Sequence, residues 1–226
     1  MKSRFLVPTL STVVMLVILV NLGLWQVRRL HWKEGVLADI ARAEAAPAIP
    51  LPRAPATFEK VRVSGKFLGV VALYGAEVRE TPHGPDMGGQ LLQVLLPDTG
   101  PPILVARGWI PDAALAAFAE PAEPVRVEGF VRPAARPGWF TPRDDAAKLR
   151  FYTLDPARIG AALGLKQVAP FILVALGSTP PGGVPEPAHN LPRPPNDHLS
   201  YALTWFGLAA VLLVIYAIWL RRSMRQ

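Results

Sequence analysis

No cysteine occurs in the 226 residues. That absence removes disulfides, thiolate zinc and iron–sulfur sites, thiol nucleophiles and covalent c-type haem. Methionine is scarce as well, with four residues at positions 1, 15, 87 and 224. Copper(I) prefers clustered sulfur ligands, so their scatter argues against a copper carrier. Familiar catalytic patterns are missing too. There is no phosphate-binding Gly loop with Lys, no Gly-x-Ser-x-Gly, no His-Glu-x-x-His and no paired-carboxylate motif. Asp144-Asp145 stands beside Arg143, Lys148 and Arg150 and reads as a solvated loop. Acid is absent from both tails: all 17 Asp and Glu lie inside residues 26–197.

Two long apolar runs account for the positive mean hydropathy of +0.27. Phe5–Leu24 is interrupted only by Pro8, Thr9, Ser11, Thr12 and Asn21, and Tyr201–Leu220 has no charged side chain. At a rise of 1.5 Å per residue each run spans about 30 Å, the depth of a bilayer's hydrocarbon core. The net charge of +7 comes mostly from Lys2, Arg4, Arg221, Arg222 and Arg225, just outside those runs. By the positive-inside rule both termini are expected in the cytoplasm, with the stretch between them translocated. Arg28, Arg29 and Lys33 oppose the rule locally, but long loops largely escape it. The middle is nearly balanced in charge, so nucleic acid is not an expected partner; membrane lipid is. The first run is expected to be a retained anchor, since Trp25-Gln26-Val27-Arg28-Arg29 is no small-residue cleavage site.

The expected organisation is α+β, with two transmembrane helices bracketing a mostly antiparallel, β-rich extramembrane domain with short helices. Residues 5–24 form the first membrane helix. Residues 25–46 continue it as an amphipathic helix, with Leu30, Val36, Leu37 and Ile40 among charges. A Pro-rich linker follows at 47–57, the β-rich domain at 58–177, a Pro/Gly-rich linker at 178–197 and the second membrane helix at 201–220. Alternation predicts a strand from Phe58 to Phe67, and Val125–Val131 repeats its V-R-V-x-G pattern; two ordinary strands with Gly bulges are expected, with an internal duplication as the alternative. Pro97-Asp98-Thr99-Gly100 joins Gln90–Leu96 and Pro102–Trp109 as a hairpin. Val168–Leu176 is apolar enough for a central strand. Short helices are expected at Asp112–Ala119 and, with Asp155 as N-cap and Pro156 at N1, at 155–164.

The four histidines are His31, His83, His189 and His198. His83 is expected in a solvated turn and His189 in a linker. His31 follows the first membrane helix and His198 opens the second, so a helical hairpin brings those two to one membrane face. Helical spacing puts Tyr201, Ala202, Trp205 and Ala209 along the His198 face. Three readings fit that face. It is an interfacial aromatic belt, a helix–helix packing surface, or a haem site. In the last, His198 ligates iron, Tyr201 and Trp205 pack the macrocycle, and Arg28, Arg29 or Arg193 pair with propionates.

Five segments, in order along almost the whole chain, resemble the surfeit locus protein 1 family. They are Leu22-Gly23-Leu24-Trp25-Gln26-Val27-Arg28-Arg29 followed by Trp32-Lys33, then Val61–Phe67, Val105-Ala106-Arg107-Gly108-Trp109-Ile110-Pro111, Val125–Val131 and His198–Phe206. The family usually carries Asn where this chain has Ala106. The resemblance implies a non-enzymatic cytochrome c oxidase assembly factor that helps insert haem a into subunit I. Its setting would be the bacterial inner membrane, with a periplasmic domain and both termini cytoplasmic. It implies haem a as cargo, His198 as the iron ligand and the haem a synthesis machinery as a further partner; His31, placed at the same membrane face by the hairpin, is the weaker candidate for a second ligand. A haem-free scaffold for nascent subunit I is the alternative. A membrane-anchored periplasmic enzyme or sensor is the third reading; the catalytic constellation it needs within 58–177 is not visible.

Overall fold

The computed structural model describes residues 3–81, 84–118, 123–181 and 183–225, the side chains of Ser3 and Arg4 excepted. In chain order the elements are α1 (Ser3–Ala45), β1 (Ile49–Pro50), β2 (Lys60–Thr81), β3 (Gly84–Pro97), β4 (Ile103–Pro111), a 3-10 turn (Asp112–Ala117), β5 (Val125–Pro133), β6 (Arg150–Phe151), α2 (Pro156–Ala162), β7 (Phe171–Ala175) and α3 (His198–Met224). Their described residues fall into two compact units, Met1–Ala41 with Arg193–Gln226, and Arg42–Pro192.

The first unit is a pair of apolar helices. The most apolar window of each is only 6% buried within the chain. A core helix of a soluble protein hides its apolar side chains; these leave theirs for lipid. α1 does not break at residue 24 but runs on to Ala45. Its 43 residues span about 65 Å, roughly twice the hydrocarbon depth, so its polar second half extends beyond the membrane core. The two helices pair antiparallel. Near one end the Phe5 and Trp219 rings meet edge-on at 5.9 Å, and Thr9 Oγ1 lies 2.6 Å from the Tyr216 hydroxyl.

The second unit is a closed sheet. β2 pairs with β3, β3 with β4, β4 with β7, β7 with β5, and β5 returns to the first part of β2. The β4–β7 pair is parallel and the other four in the ring antiparallel. Closure explains the V-R-V-x-G repeat: the two copies are each other's partners. Val63 faces Val127, Val61 faces Gly129, and Gly65 faces Val125. Neither glycine is a bulge. A Cβ on Gly65 would strike the Leu96 carbonyl, and one on Gly129 the Val174 carbonyl. The bulges of β2 lie further on, between Phe67 and Val71 and between Tyr74 and Glu77, and they let the strand bend and continue to Thr81.

Val61, Val63, Phe67, Leu95, Ile103, Val105, Val131 and Leu173, drawn from all five ring strands, fill the interior. On the outer face, Ile159 of α2 and Leu163, its C-cap, pack with Phe151 and Leu154 on Leu92, Val94, Leu104 and Ile172. Asp155 caps α2 as expected, accepting from the amides of Ala157 and Arg158. Further expectations need correction. The strand expected over Phe58–Phe67 starts at Lys60 and runs on to Thr81. Asp144 is not solvated: its side chain is 6% exposed, and Oδ1 accepts from the Tyr152 and Thr153 amides. The 178–197 segment is not a free linker, because Glu186 exchanges both backbone bonds with Trp109, and Ala188 bonds to Ala175 and Gly177. The helix at Asp112–Ala119 is a 3-10 turn ending at Ala117; Ala119 and His83 lie outside the described residues.

Candidate functional site

The face on which the two apolar helices meet has small residues at buried points, Gly23 on α1 and Ala202 and Ala209 on α3. On α1, Leu19, Gly23 and Gln26 follow the i, i+4, i+7 stripe, and all three are buried. On α3, Ala202 and Ala209 are 2% and 5% exposed. Small side chains let helix backbones approach closely where lipid supplies no hydrophobic drive. A Cβ on Gly23 would sit 2.6–2.9 Å from the Phe206 ring, so any larger residue there must displace the ring.

One polar pair stands on this face. Gln26 is 8% exposed, and its Oε1 lies 2.7 Å from His198 Nδ1. An amide oxygen can only accept, so Nδ1 carries the proton and donates it. In the neutral imidazole that leaves the lone pair on Nε2, which has no hydrogen-bond partner among the described residues. Metal-ligating histidines are commonly held in this way, with one ring nitrogen tied to a protein acceptor and the other free to coordinate. Helix packing uses the same bond equally well as a polar clasp.

The remaining predicted residues take different positions. Trp205 is half-buried beside Ala202. Tyr201 is 57% exposed and lies off the packed face. Arg28, Arg29 and His31 are exposed. The Arg29 guanidinium stands 3.9 Å over the centre of the Trp32 ring. Among the described residues, no hydrogen bond or ion pair joins Arg28, Arg29 or His31 to His198. His189, also exposed, faces the Gly177 carbonyl at 3.1 Å. No group of three or more His, Asp or Glu is placed to hold a bare metal ion among the described residues. Sequence reasoning missed Gln26. The available signal was its place on the Leu19–Gly23 stripe, where a polar side chain must find a partner.

The Arg107-Gly108-Trp109 motif belongs to the second unit and is structural there. Leu92 pairs with Ala106 and Leu91 with Gly108, so Arg107 is the extra residue of a bulge. Its guanidinium turns toward the barrel interior, 4.6 Å over the Phe67 ring, and donates to Gln93 Oε1 at 2.8 Å. Gly108 has φ +136° and lies against the Glu186 backbone. Trp109, 3% exposed, is covered by Arg79, which ion-pairs with Glu77 at 2.9 Å and Glu186 at 3.0 Å. Burial works to lower the Arg79 pKa; its hydrogen bonds and charge contacts with Glu77 and Glu186 prevail, and it stands raised.

The chain matches the SURF1 family over residues 13–210. A SURF1-like protein of Rickettsia conorii (strain ATCC VR-613 / Malish 7) is 33% identical, the alignment covering 99% of this chain and 93% of the relative. A SURF1-like protein of Monosiga brevicollis is 31% identical over 92% and 85%. Surfeit locus protein 1 of Takifugu rubripes is 28% identical over 84% and 87%. The matched stretch takes in the Gly23–Gln26 face, the whole barrel and the His198 end of α3, and on that coverage the chain belongs to the SURF1 family.

Proposed function

We propose that this chain is a non-enzymatic assembly factor for cytochrome c oxidase that holds haem a at the membrane and passes it to subunit I. The observation that carries this reading is the 2.7 Å bond from His198 Nδ1 to Gln26 Oε1, which leaves Nε2 with a lone pair suited to haem iron. Haem a is too apolar to travel freely through water, so a carrier embedded in lipid suits it. His198 ligates the iron, Gln26 positions the imidazole, and Trp205 and Tyr201 offer apolar surface to the macrocycle. Arg28 and Arg29 supply positive charge for propionates at the headgroup level, and His31 is the candidate for a second ligand. The setting is the bacterial inner membrane, with both termini cytoplasmic and the barrel periplasmic. The haem a synthesis machinery is the natural donor.

A second reading is favoured by the packing of His198 on the same face as the buried Ala202 and Ala209. In that reading the His198–Gln26 bond only clasps the helices, and the protein is a haem-free scaffold for nascent subunit I. Absorption spectra of protein purified from cells that make haem a separate the two. The carrier reading expects a haem band that His198→Ala abolishes and Gln26→Leu weakens or shifts. A band unchanged in His198→Ala removes the ligand assignment. Colourless protein that still co-purifies with subunit I establishes the scaffold.

A further inference from the structure

Trp139 and Phe140 are 102% and 99% exposed, more than any other large apolar residue described. Aromatic side chains of this size ordinarily bury most of their surface, and an adjacent pair left wholly in water marks an interaction site. The pair sits on a built turn. The Gly138 amide donates to Thr141 Oγ1 at 2.8 Å, the Thr141 amide donates to the Gly138 carbonyl at 3.1 Å, and the loop's base is pinned where the Ala135 amide meets the Leu154 carbonyl at 2.8 Å. Pro137 and Pro142 stiffen both sides. A turn fixed in this way loses little backbone entropy when something covers it.

Charge decides what covers them. From Arg132 to Arg143 there are three arginines and no acid. Arg132 lies 5.9 Å from the Tyr74 ring centre. Arg136 and Arg143 are exposed and form no ion pair among the described residues. The two acids that follow are engaged: Asp144 with the Tyr152 and Thr153 amides and Arg158, and Asp145 with Lys148. The loop therefore presents an aromatic tip in a cationic collar. That is the chemistry of a segment seated among anionic lipid headgroups, with Trp at the interface and Arg on phosphates. The chain is already tethered by helices fit to cross a membrane, so even weak insertion is favoured by effective concentration.

We infer that the Trp139–Phe140 turn is a membrane-seated finger that holds the barrel against anionic lipid. A chain without cysteine allows a clean test. Phe140→Cys in the full-length protein is labelled with nitrobenzoxadiazole and reconstituted into nanodiscs, with Val78→Cys, at a site 57% exposed, as the reference. In discs containing phosphatidylglycerol the Phe140 label emits to the blue and is quenched by lipid-borne nitroxide. Its iodide quenching falls roughly twofold below that of the Val78 label. Arg136→Glu combined with Arg143→Glu returns it to water-like emission. Three outcomes overturn the inference: water-like emission in phosphatidylglycerol discs, a shift indifferent to anionic lipid and to the arginine reversals, or a shift that appears only when oxidase subunit I is added.

Discussion

Gly108 and Arg107 show how a single residue's conformation can serve a whole domain. At φ +136° Gly108 occupies backbone space that L side chains rarely enter, and the Glu186 backbone lies where its Cβ would be. Gly108→Ala is expected to lower the unfolding free energy on the order of 3 kcal/mol, read as a drop in the thermal midpoint of the purified protein. Arg107 answers a different need. Gln93 is fully buried; its amide donates to the Leu68 carbonyl and its oxygen accepts from Arg107, both at 2.8 Å. Arg107→Ala strips the acceptor of that donor and is expected to cost about 2 kcal/mol in denaturant unfolding. If the motif served only to dock a partner, both variants would keep wild-type stability.

At the scale of elements, the same residue types act according to the solvent around them. α2 is seven residues long, too short to persist alone, and depends on its cap and its apolar face. Asp155→Ala removes the acceptor for two orphan amides and is expected to cost about 1 kcal/mol. The helix pair in the membrane has no such hydrophobic drive and relies on close approach. Gly23→Ile would push the Phe206 ring aside and weaken association by about 1–3 kcal/mol. Thr9→Cys with Tyr216→Cys reports this, since oxidative cross-linking between those positions is expected to slow when Gly23→Ile is added. Unchanged cross-linking would mean that the helices do not depend on the Gly23–Phe206 fit.

For the whole molecule, two apolar helices bracket a closed β domain, and the tail charges set the expected orientation. Protease added to the membrane face opposite the tails is expected to degrade residues 42–192, while tags on both termini survive. Loss of either tag would reverse the assignment. Much of this scale was readable from the chain itself. Apolar runs long enough to cross a bilayer, arginines beyond them, the alternation of Val61 and Val63, and the Asp155-Pro156 start of α2 are local properties. Each depends on a side chain's own transfer energy or on its immediate neighbours, and neither changes with the fold.

What the chain alone left open was decided by pairing between distant segments. His198 was legible as an ionisable residue at a helix start, but its partner lies 172 positions away. Asp144 reads as solvated until the backbone of Tyr152 and Thr153 folds over it. The two V-R-V-x-G segments read as separate strands until closure makes them one antiparallel pair. Strand alternation, membrane-spanning capacity and the α2 cap were determined by sequence because short-range energetics suffices for them; strand length was not, since β2 runs from Lys60 to Thr81 where alternation ends at Phe67. The Gln26–His198 clasp, the Arg107–Gln93 contact and the closed barrel belong to tertiary structure alone. Which polar group meets which, and where a buried one is satisfied, depends on how non-local packing brings surfaces together.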